Sequence, residues 1–385
     1  MYNWTRRSFM TGAIGAVSAA AAIPRPAWSL GASAIATTSN HYRDAIVIDT
    51  LSSVGGDDDD DFAPISAQQL DDVKRSGLTA INITVDSVGI GGFSRSFEDT
   101  IRLLAYVTGQ AAAHPEAFLQ VRNIADIHAA KRSRRLGLIY GLQDSAPIGE
   151  DLQRVDTLCD LGVRIFQLTY NKRNLVGDGC LEPEAGGLSK FGRELVERLN
   201  ARKVIVDLAH ASKATTLDAC ALSKSPIAIS HTGCAALNPH PRNKTDEELK
   251  RVADRGGYIG IYLISFFLRK EGETTADDLI AHLEHAIDVC GSDAIGIGTD
   301  GTVSPTVVTE SYAKMYAAWV IDRQKKGIAA PGEDPKRYQF IPDLNSADRY
   351  EKIADRLARR GHPWSTIEKI LGGNFLRYAR SVWGG

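Results

Sequence analysis

Short apolar runs recur along the chain, and most are followed by a segment whose apolar positions have helical spacing. The runs are rich in Val, Ile and Leu with few polar interruptions, as is typical of strands buried on both faces of a parallel sheet. Eight segments fit this description: residues 45–49, 80–85, 136–142, 163–169, 204–208, 227–230, 258–262 and 294–299.

Most of these strands are separated by amphipathic segments that predict helices. The predicted helices are residues 66–75, 97–112, 124–130, 149–161, 190–199, 213–222, 245–255 and 275–289. Eight strand–helix units in about 340 residues predict an α/β fold of the closed (β/α)8 TIM-barrel type. A doubly wound open sheet is the rival, but no GxGxxG motif stands at a first strand–helix turn.

The rest of the chain fits around this barrel. Helices at 346–359 and 365–371 should close the chain, and a long loop at 301–344 should lie over the barrel mouth. With 385 residues, 43% of them hydrophobic and 24% charged, residues 36–385 predict a single catalytic-type domain.

The N-terminus carries an export signal. Arg6 and Arg7 precede an Ala- and Gly-rich apolar stretch, and the small residues Ala32-Ser33-Ala34 follow as a cleavage site. This arrangement predicts a twin-arginine signal peptide over residues 1–35 and a periplasmic protein without a stable membrane anchor after cleavage. An ordinary secretory signal is the alternative.

The net charge restricts the expected class of ligand, and the cysteines leave disulfide bonding open. A net charge of −2 gives no electrostatic basis for binding nucleic acid, so a small molecule is the expected ligand. Five widely spaced cysteines form no CxxC pair and leave any disulfide unassigned.

Three predicted strands end in groups that can bind a metal or transfer a proton. His210 and His231 end two strands, and Asp300 follows the last one. Active sites of (β/α)8 barrels lie at the C-terminal ends of the strands, so these three side chains should converge there.

Several motifs in order along the chain resemble the membrane (renal) dipeptidase family. They are "DLAH" ending at His210, "ISHT" around His231, "NPHPRN" containing Arg242, "GIGTDG" containing Asp300, and "ILGGNFLR" at residues 370–377. This resemblance implies a barrel hydrolase that uses two zinc ions to cleave dipeptides. Members of the family commonly dimerise, which makes a homodimer an expectation here.

The resemblance also implies residue roles. His210 and His231 match ligands of one metal, and Asp300 matches the aspartate that handles a proton of the attacking water. Arg242 matches the arginine that binds the carboxylate of the substrate, a task suited to the guanidinium fork, and the adjacent Asn243 is a further candidate for substrate binding. Tyr170 stands where the family has a substrate-facing histidine.

The chain departs from the family at several metal-ligand positions. Leu51 and Ser53 replace the histidine and the aspartate that follow the first strand, and Gln143 replaces the bridging glutamate. A neutral amide cannot offset the repulsion between two divalent ions, so one zinc or none is expected. A single zinc would use His210, His231 and Asp300, with Gln143 as a weak ligand, or water, in the fourth position.

Three functions remain open at this stage. The chain could be a hydrolase with a single metal that acts on a dipeptide or a small amide with a free carboxylate. It could be a metal-free acid–base enzyme of the isomerase or tailoring type in the same pocket. It could also be a catalytically inactive binding protein, since the fold alone does not decide.

Overall fold

A parallel barrel with alternating helices organises the described part of the chain. The computed structural model describes residues 40–55, 63–86 and 96–384, and the predicted signal peptide at 1–35 lies outside them. The strands are β1 (Ile48–Asp49), β2 (Ser52–Ser53), β3 (Ala80–Thr84), β4 (Phe118–Gln120), β5 (Leu136–Leu142), β6 (Val163–Gln167), β7 (Ile205–Asp207), β8 (Ala228–Thr232), β9 (Tyr258–Ile261), β10 (Ile295–Ile297) and β11 (Gly301–Thr302).

The α-helices that pack around the strands begin with α1 and end with α13. They are α1 (Ala67–Ser76), α2 (Phe97–Ala113), α3 (Ile124–Ser133), α4 (Gln153–Leu161), α5 (Lys190–Ala201), α6 (Lys213–Leu222), α7 (Asp246–Ala253), α8 (Ser265–Leu268), α9 (Ala276–Cys290), α10 (Glu310–Lys325), α11 (Arg349–Arg359), α12 (Trp364–Glu368) and α13 (Asn374–Trp383). Short 3₁₀ turns lie at Ala146–Ile148 and Pro342–Leu344, and a π turn at Lys369–Gly373.

Eight of the strands pair in the order β1-β3-β5-β6-β7-β8-β9-β10, and every pair is parallel. The backbone N–H of Thr50 donates to the carbonyl of Ile297 at 3.1 Å, which joins the first strand to the last. The parallel pair of β2 and β11 extends this seam. The TIM-barrel prediction is therefore confirmed.

The eight predicted strands match the barrel strands, and their observed lengths are mostly shorter. The predicted loop at 301–344 is wrong in one respect, because it contains the 16-residue helix α10. Only three residues of that helix are buried, so its apolar pattern is too weak to stand out in the sequence. The pairs β4–β5 and β2–β11 were not predicted, since strands of two or three residues carry no periodicity.

Two apolar cores hold the barrel. One joins the outer faces of the strands to the helices, with residues such as Leu138, Phe166 and Ile259. The other fills the barrel interior near the starts of the strands, where Ile48, Ile205 and other strand residues meet Phe375, Tyr378 and Trp383 of α13. The C-terminal helix therefore plugs the end of the barrel opposite the predicted site.

Two further sequence expectations can be compared with the structure. All five cysteines are free thiols. Across residues 40–55, 63–86 and 96–384, no helix has both the length and the hydropathy to cross a membrane.

Candidate functional site

The two strand-end histidines meet at the centre of the barrel mouth. His210 lies in the turn between β7 and the N-cap Ser212 of α6, and His231 lies on β8. Their Nε2 atoms are 2.9 Å apart, and both side chains are buried. The prediction that these histidines converge is confirmed.

The outer nitrogen of each imidazole is held by a polar partner. His210 Nδ1 lies 2.6 Å from Asn171 Oδ1, and the ring stacks on Tyr170 with centroids 4.2 Å apart. His231 Nδ1 lies 2.8 Å from Ser230 Oγ. The Ser230 hydroxyl also contacts Asp207 Oδ2 at 2.5 Å. These contacts fix the ring orientations.

Burial and positive neighbours keep both imidazoles neutral. Desolvation and then the Arg242 guanidinium lower the pKa of His210 well below its ordinary value, and the same two causes lower the pKa of His231. A neutral imidazole has one N–H and one lone pair, so the pair can share a hydrogen bond or present a lone pair to another group.

Arg242 is a buried cation with one unused nitrogen. Its Nη1 donates to the carbonyl of Ala209 at 2.6 Å, and the Cys180 thiol also interacts with the guanidinium, whereas Nη2 has no oxygen or nitrogen partner within the described ranges. Its guanidinium carbon lies 5.8 Å from the ring centroid of Tyr262. A buried N–H of a cation is costly without an acceptor, so this nitrogen favours an anionic ligand.

The side chain of Asn243 is hydrogen-bonded within the protein, and its role in substrate binding stays a prediction. Its amide nitrogen donates to the carbonyls of Asn238 at 2.8 Å and Phe267 at 2.9 Å. Its carbonyl oxygen accepts a hydrogen bond from the hydroxyl of Tyr262. The structure therefore gives Asn243 the task of holding the loop that carries Arg242.

Asp300 follows β10 in a left-handed backbone conformation with φ of 56°. Its N–H donates to the carbonyl of Leu51 at 2.8 Å, and its partly exposed side chain lines a cavity of about 420 Å³. Burial raises its pKa to about 7, although the charges of Arg242 and Arg323 act in the opposite direction. A carboxyl group with this pKa can accept and return a proton near neutral pH.

Tyr170 joins the histidines to the segment that follows β11. Its hydroxyl lies 3.5 Å from Nη1 of Arg323, and Arg323 forms a buried ion pair with Glu333 at 2.6 Å. The side-chain amide of Asn171 donates to the carbonyl of Ile328 at 2.9 Å. Burial raises the pKa of Tyr170, so its hydroxyl stays protonated and can donate a hydrogen bond.

The three replaced ligand positions lie together on the wall of the cavity beside Asp300. Leu51, Ser53 and Gln143 all line it. The side-chain amide of Gln143 donates to Thr84 Oγ1 at 2.8 Å, and the hydroxyl of Ser53 donates to the carbonyl of Gly55 at 3.2 Å. These groups are used within the protein.

The donors present do not fit the two-zinc centre that the resemblance implies. Two neutral imidazoles converge, but within the described ranges no three His, Cys, Asp or Glu side chains are close enough to hold a metal ion. Catalytic zinc sites use three protein ligands, and a second zinc would need the carboxylates that Ser53 and Gln143 lack. A zinc role for His210, His231 and Gln143 stays a prediction.

Several residues that shape the site were not singled out in the sequence. Asn171 and Ser230 each adjoin a predicted site residue, and Asp207 ends β7 three residues before His210, so their positions in the sequence were a usable signal. Arg323 and Glu333 had no such signal, because they reach the site only through the tertiary course of the segment after β11.

The described chain is a closed parallel barrel with histidines and an aspartate at its mouth, the end at which barrels of this type carry their active sites. The family model "Membrane dipeptidase (Peptidase family M19)" matches residues 11–323. The chain therefore belongs to the membrane dipeptidase family, which confirms the resemblance found in the sequence.

Two curated relatives are similar over most of the chain. Dipeptidase tcpJ of Claviceps purpurea is 25% identical over 290 residues, which cover 74% of this chain but only 60% of that protein. An uncharacterized protein in the pqqA 5′ region of Klebsiella pneumoniae is 24% identical over 285 residues, which cover 71% of this chain and 93% of that protein.

Solved structures agree on the fold. An amidohydrolase from Pseudomonas aeruginosa is 32% identical with a TM-score of 0.78, covering 90% of this chain and 99% of that chain. A metallopeptidase from Rhodobacter sphaeroides, liganded with a phosphinate mimic of the dipeptide L-Ala-D-Ala, is 18% identical with a TM-score of 0.69. The coverage there is 88% of this chain and 100% of that chain.

Proposed function

We propose that this chain binds a dipeptide-sized amide through its free carboxylate and hydrolyses it with its own acid–base side chains. The reaction class is that of the dipeptidase family, without the two-zinc centre of the family. Asp300 is the general base in this proposal, Arg242 binds the carboxylate, and Tyr170 donates a hydrogen bond.

The observation that carries the proposal is the unused Nη2 of Arg242. This buried cation lies near neutral imidazoles, and no carboxylate of the described residues accepts a hydrogen bond from its free nitrogen. Asp300 feels the charge of Arg242 more strongly than that of any other charged group. In this proposal a ligand carboxylate binds Arg242 and the amide of the ligand lies beside Asp300.

The chemistry balances with the groups at hand. The Asp300 carboxylate takes a proton from water while the water oxygen forms a bond to the amide carbon. The hydroxyl of Tyr170 donates to the oxyanion that develops on the carbonyl oxygen. The C–N bond then breaks, and protonated Asp300 gives its proton to the leaving nitrogen. The products are a carboxylic acid and a free amine.

The test uses the full chain and a panel of dipeptides and N-acyl amino acids, each with a free or an amidated carboxyl terminus. We expect mass spectrometry to show hydrolysis of the free acids only. Asp300→Asn should abolish turnover and retain binding, whereas Arg242→Gln should remove the preference for the free acid.

Elemental analysis of protein purified without chelators separates this proposal from its alternatives. We expect less than stoichiometric zinc and turnover that a chelator does not reduce. One zinc per chain that disappears in His210→Ala would instead support a hydrolase with a single metal. Tight carboxylate binding without turnover of any amide would support a binding protein.

We also propose that the chain is exported to the periplasm by the twin-arginine route. The paired Arg6 and Arg7 support this location. Replacing both with lysine should leave unprocessed protein in the cytoplasm, as fractionation would show, whereas Arg25→Lys should be exported normally. Export of the double-lysine variant would contradict the route.

A further inference from the structure

The three positions at which the family would place metal ligands border one cavity. Leu51, Ser53 and Gln143 lie on the wall of the cavity that Asp300 also lines. At about 420 Å³ it is within the size range of small-molecule sites. At these three positions the cavity is therefore bordered by one aliphatic side chain and two neutral polar ones.

Two of the polar groups at these positions already have partners within the protein. The amide nitrogen of Gln143 donates to Thr84, and the Ser53 hydroxyl donates to a backbone carbonyl. Asp86, which also borders the cavity, accepts hydrogen bonds from the backbone N–H groups of Gln143 at 2.7 Å and Asp144 at 2.9 Å. These groups are therefore not all available to a ligand.

The rest of the wall, as far as described residues form it, has an apolar part, while the polar side chains of Gln69, Gln110 and Gln339 also line it. The aromatic ring of Tyr106 contributes to the apolar part, and its hydroxyl donates to the carbonyl of Ala63 at 2.5 Å. Aliphatic side chains from the strands and from α2 supply the rest: Val54, Ile83, Leu103, Val107 and Leu138. Filling such a surface releases water from apolar area, which favours an apolar occupant.

We propose that the cavity beside Leu51, Ser53 and Gln143, the positions at which the family would place metal ligands, is a subsite for a bulky apolar acyl group of the substrate. This inference rests on the proposed function and specifies its substrate class. The substrate carboxylate lies on Arg242, the amide lies at Asp300, and the acyl group fills the cavity. Leu51 contacts the acyl group where a metal ligand stands in the family.

Isothermal titration of the full chain with N-acetylglycine and N-hexanoylglycine tests the subsite. Each buried methylene tightens binding by about fourfold, so the hexanoyl compound should bind at least about tenfold more tightly. Equal affinities for the two compounds would overturn the inference.

A matched pair of variants on α2 locates the subsite. Ala111 lines the cavity and is half-buried, whereas its neighbour Ala112 is exposed. Ala111→Phe should fill the cavity and weaken N-hexanoylglycine by about tenfold, with N-acetylglycine changed by less than about twofold. Ala112→Phe should leave both affinities unchanged. Equal weakening of both ligands by Ala111→Phe would indicate general damage and contradict the subsite.

A ligand without a carboxylate separates this inference from the proposed function. N-methylhexanamide should bind weakly to the wild type and more weakly still to Ala111→Phe. If N-methylhexanamide binds in this way and N-hexanoylglycine binds no more tightly than it does, the subsite is supported and the role of Arg242 is contradicted. If neither compound binds, the subsite fails.

Discussion

Asp300 shows how backbone conformation and charge combine in one residue. A left-handed conformation is unfavourable for a residue with a Cβ atom, and it persists only where the surroundings enforce it. Here the hydrogen bond from the Asp300 N–H to Leu51 enforces it at the seam of the barrel. The sequence placed an aspartate after the last strand, but its backbone conformation and its raised pKa depend on this tertiary contact.

The raised pKa of Asp300 predicts a pH-dependent affinity for carboxylates. Below about pH 7 the carboxyl is neutral and does not repel an anion on Arg242. The affinity for N-acetylglycine should therefore fall by about threefold to tenfold between pH 6 and pH 8. Titration calorimetry at several pH values measures this.

The variant Asp300→Asn is the control for that experiment. Asp300→Asn should bind with little dependence on pH, because His210 and His231 stay neutral over this range. The other charges acting on Asp300 are those of Arg323, Asp49 and Glu333. A pH dependence that persists in Asp300→Asn would assign the titration to one of the other groups.

At the scale of elements, the seam between the first and last strands depends on a buried carboxyl group. Asp49 accepts hydrogen bonds from the N–H of Thr299 at 2.8 Å and from its hydroxyl at 2.6 Å. Burial raises the pKa of Asp49 to about 6, and the hydrogen bonds from Thr299 oppose this rise. The native state therefore binds the Asp49 proton more tightly than the unfolded chain does.

Thr299→Val should weaken this seam. Loss of the hydroxyl donor should lower the free energy of unfolding by about 1–2 kcal/mol. Asp49 makes stability fall as pH rises from about 4 to 6. The Thr299 hydroxyl stabilises the ionised carboxylate, so the loss of unfolding free energy in Thr299→Val should be larger at pH 7.5 than at pH 5. Urea denaturation at both pH values measures it. Thr302→Val, outside this network, should show no such difference, and an equal loss at both pH values would contradict the account.

The segment after β11 is held over the site by a buried ion pair. Arg323 on α10 and Glu333 are both nearly inaccessible to solvent, and Glu333 also accepts the N–H of Ala330 at 2.8 Å. Glu333→Gln would leave a buried guanidinium without its counter-charge, which should cost about 3 kcal/mol of unfolding free energy.

Denaturation together with limited proteolysis of residues 301–344 checks the Glu333 prediction. The cleavage rate in that segment should rise in Glu333→Gln. Asp322→Asn, which removes an exposed i,i+4 pair with Lys326 on the same helix, should change stability by less than about 0.5 kcal/mol. Similar effects of the two variants would mean that the buried pair does not hold this segment.

For the whole molecule, the two ends of the barrel have different tasks. The C-terminal ends of the strands carry the polar site, whereas the other end is closed by aromatic side chains of α13. Asn374 ties that helix to the barrel, because its amide donates to the carbonyls of Ser292 at 2.6 Å and Ile295 at 2.8 Å. Stability and function should therefore respond to different substitutions.

Phe375→Ala tests this separation. Removing a fully buried ring should lower the free energy of unfolding by about 3–5 kcal/mol. The affinity for N-acetylglycine at low temperature should be unchanged, because the ring lies at the opposite end of the barrel. Arg380→Ala, exposed on the same helix, should alter neither quantity. Weaker ligand binding in the folded Phe375→Ala variant would show that the two ends are coupled.

The apolar runs alone determined most of the fold. Because both faces of a parallel strand are buried, each of the eight strands left a short hydrophobic signal. The helices left amphipathic ones, so element type and order could be predicted. Helix α10 left almost none, since only Tyr316, Val320 and Arg323 are buried on it. The seam strands β2 and β11 are too short to show a period.

The sequence by itself also determined the family and the identities of His210, His231, Arg242 and Asp300, because local motifs carry them. Only the tertiary structure decided their chemistry. Neutral imidazoles, an unused nitrogen on Arg242 and an Asp300 pKa of about 7 all follow from burial and from charges distant in sequence. The cavity beside Leu51 and Gln143 depends on the same packing. Desolvation and distance are properties of the folded chain, which no local pattern records.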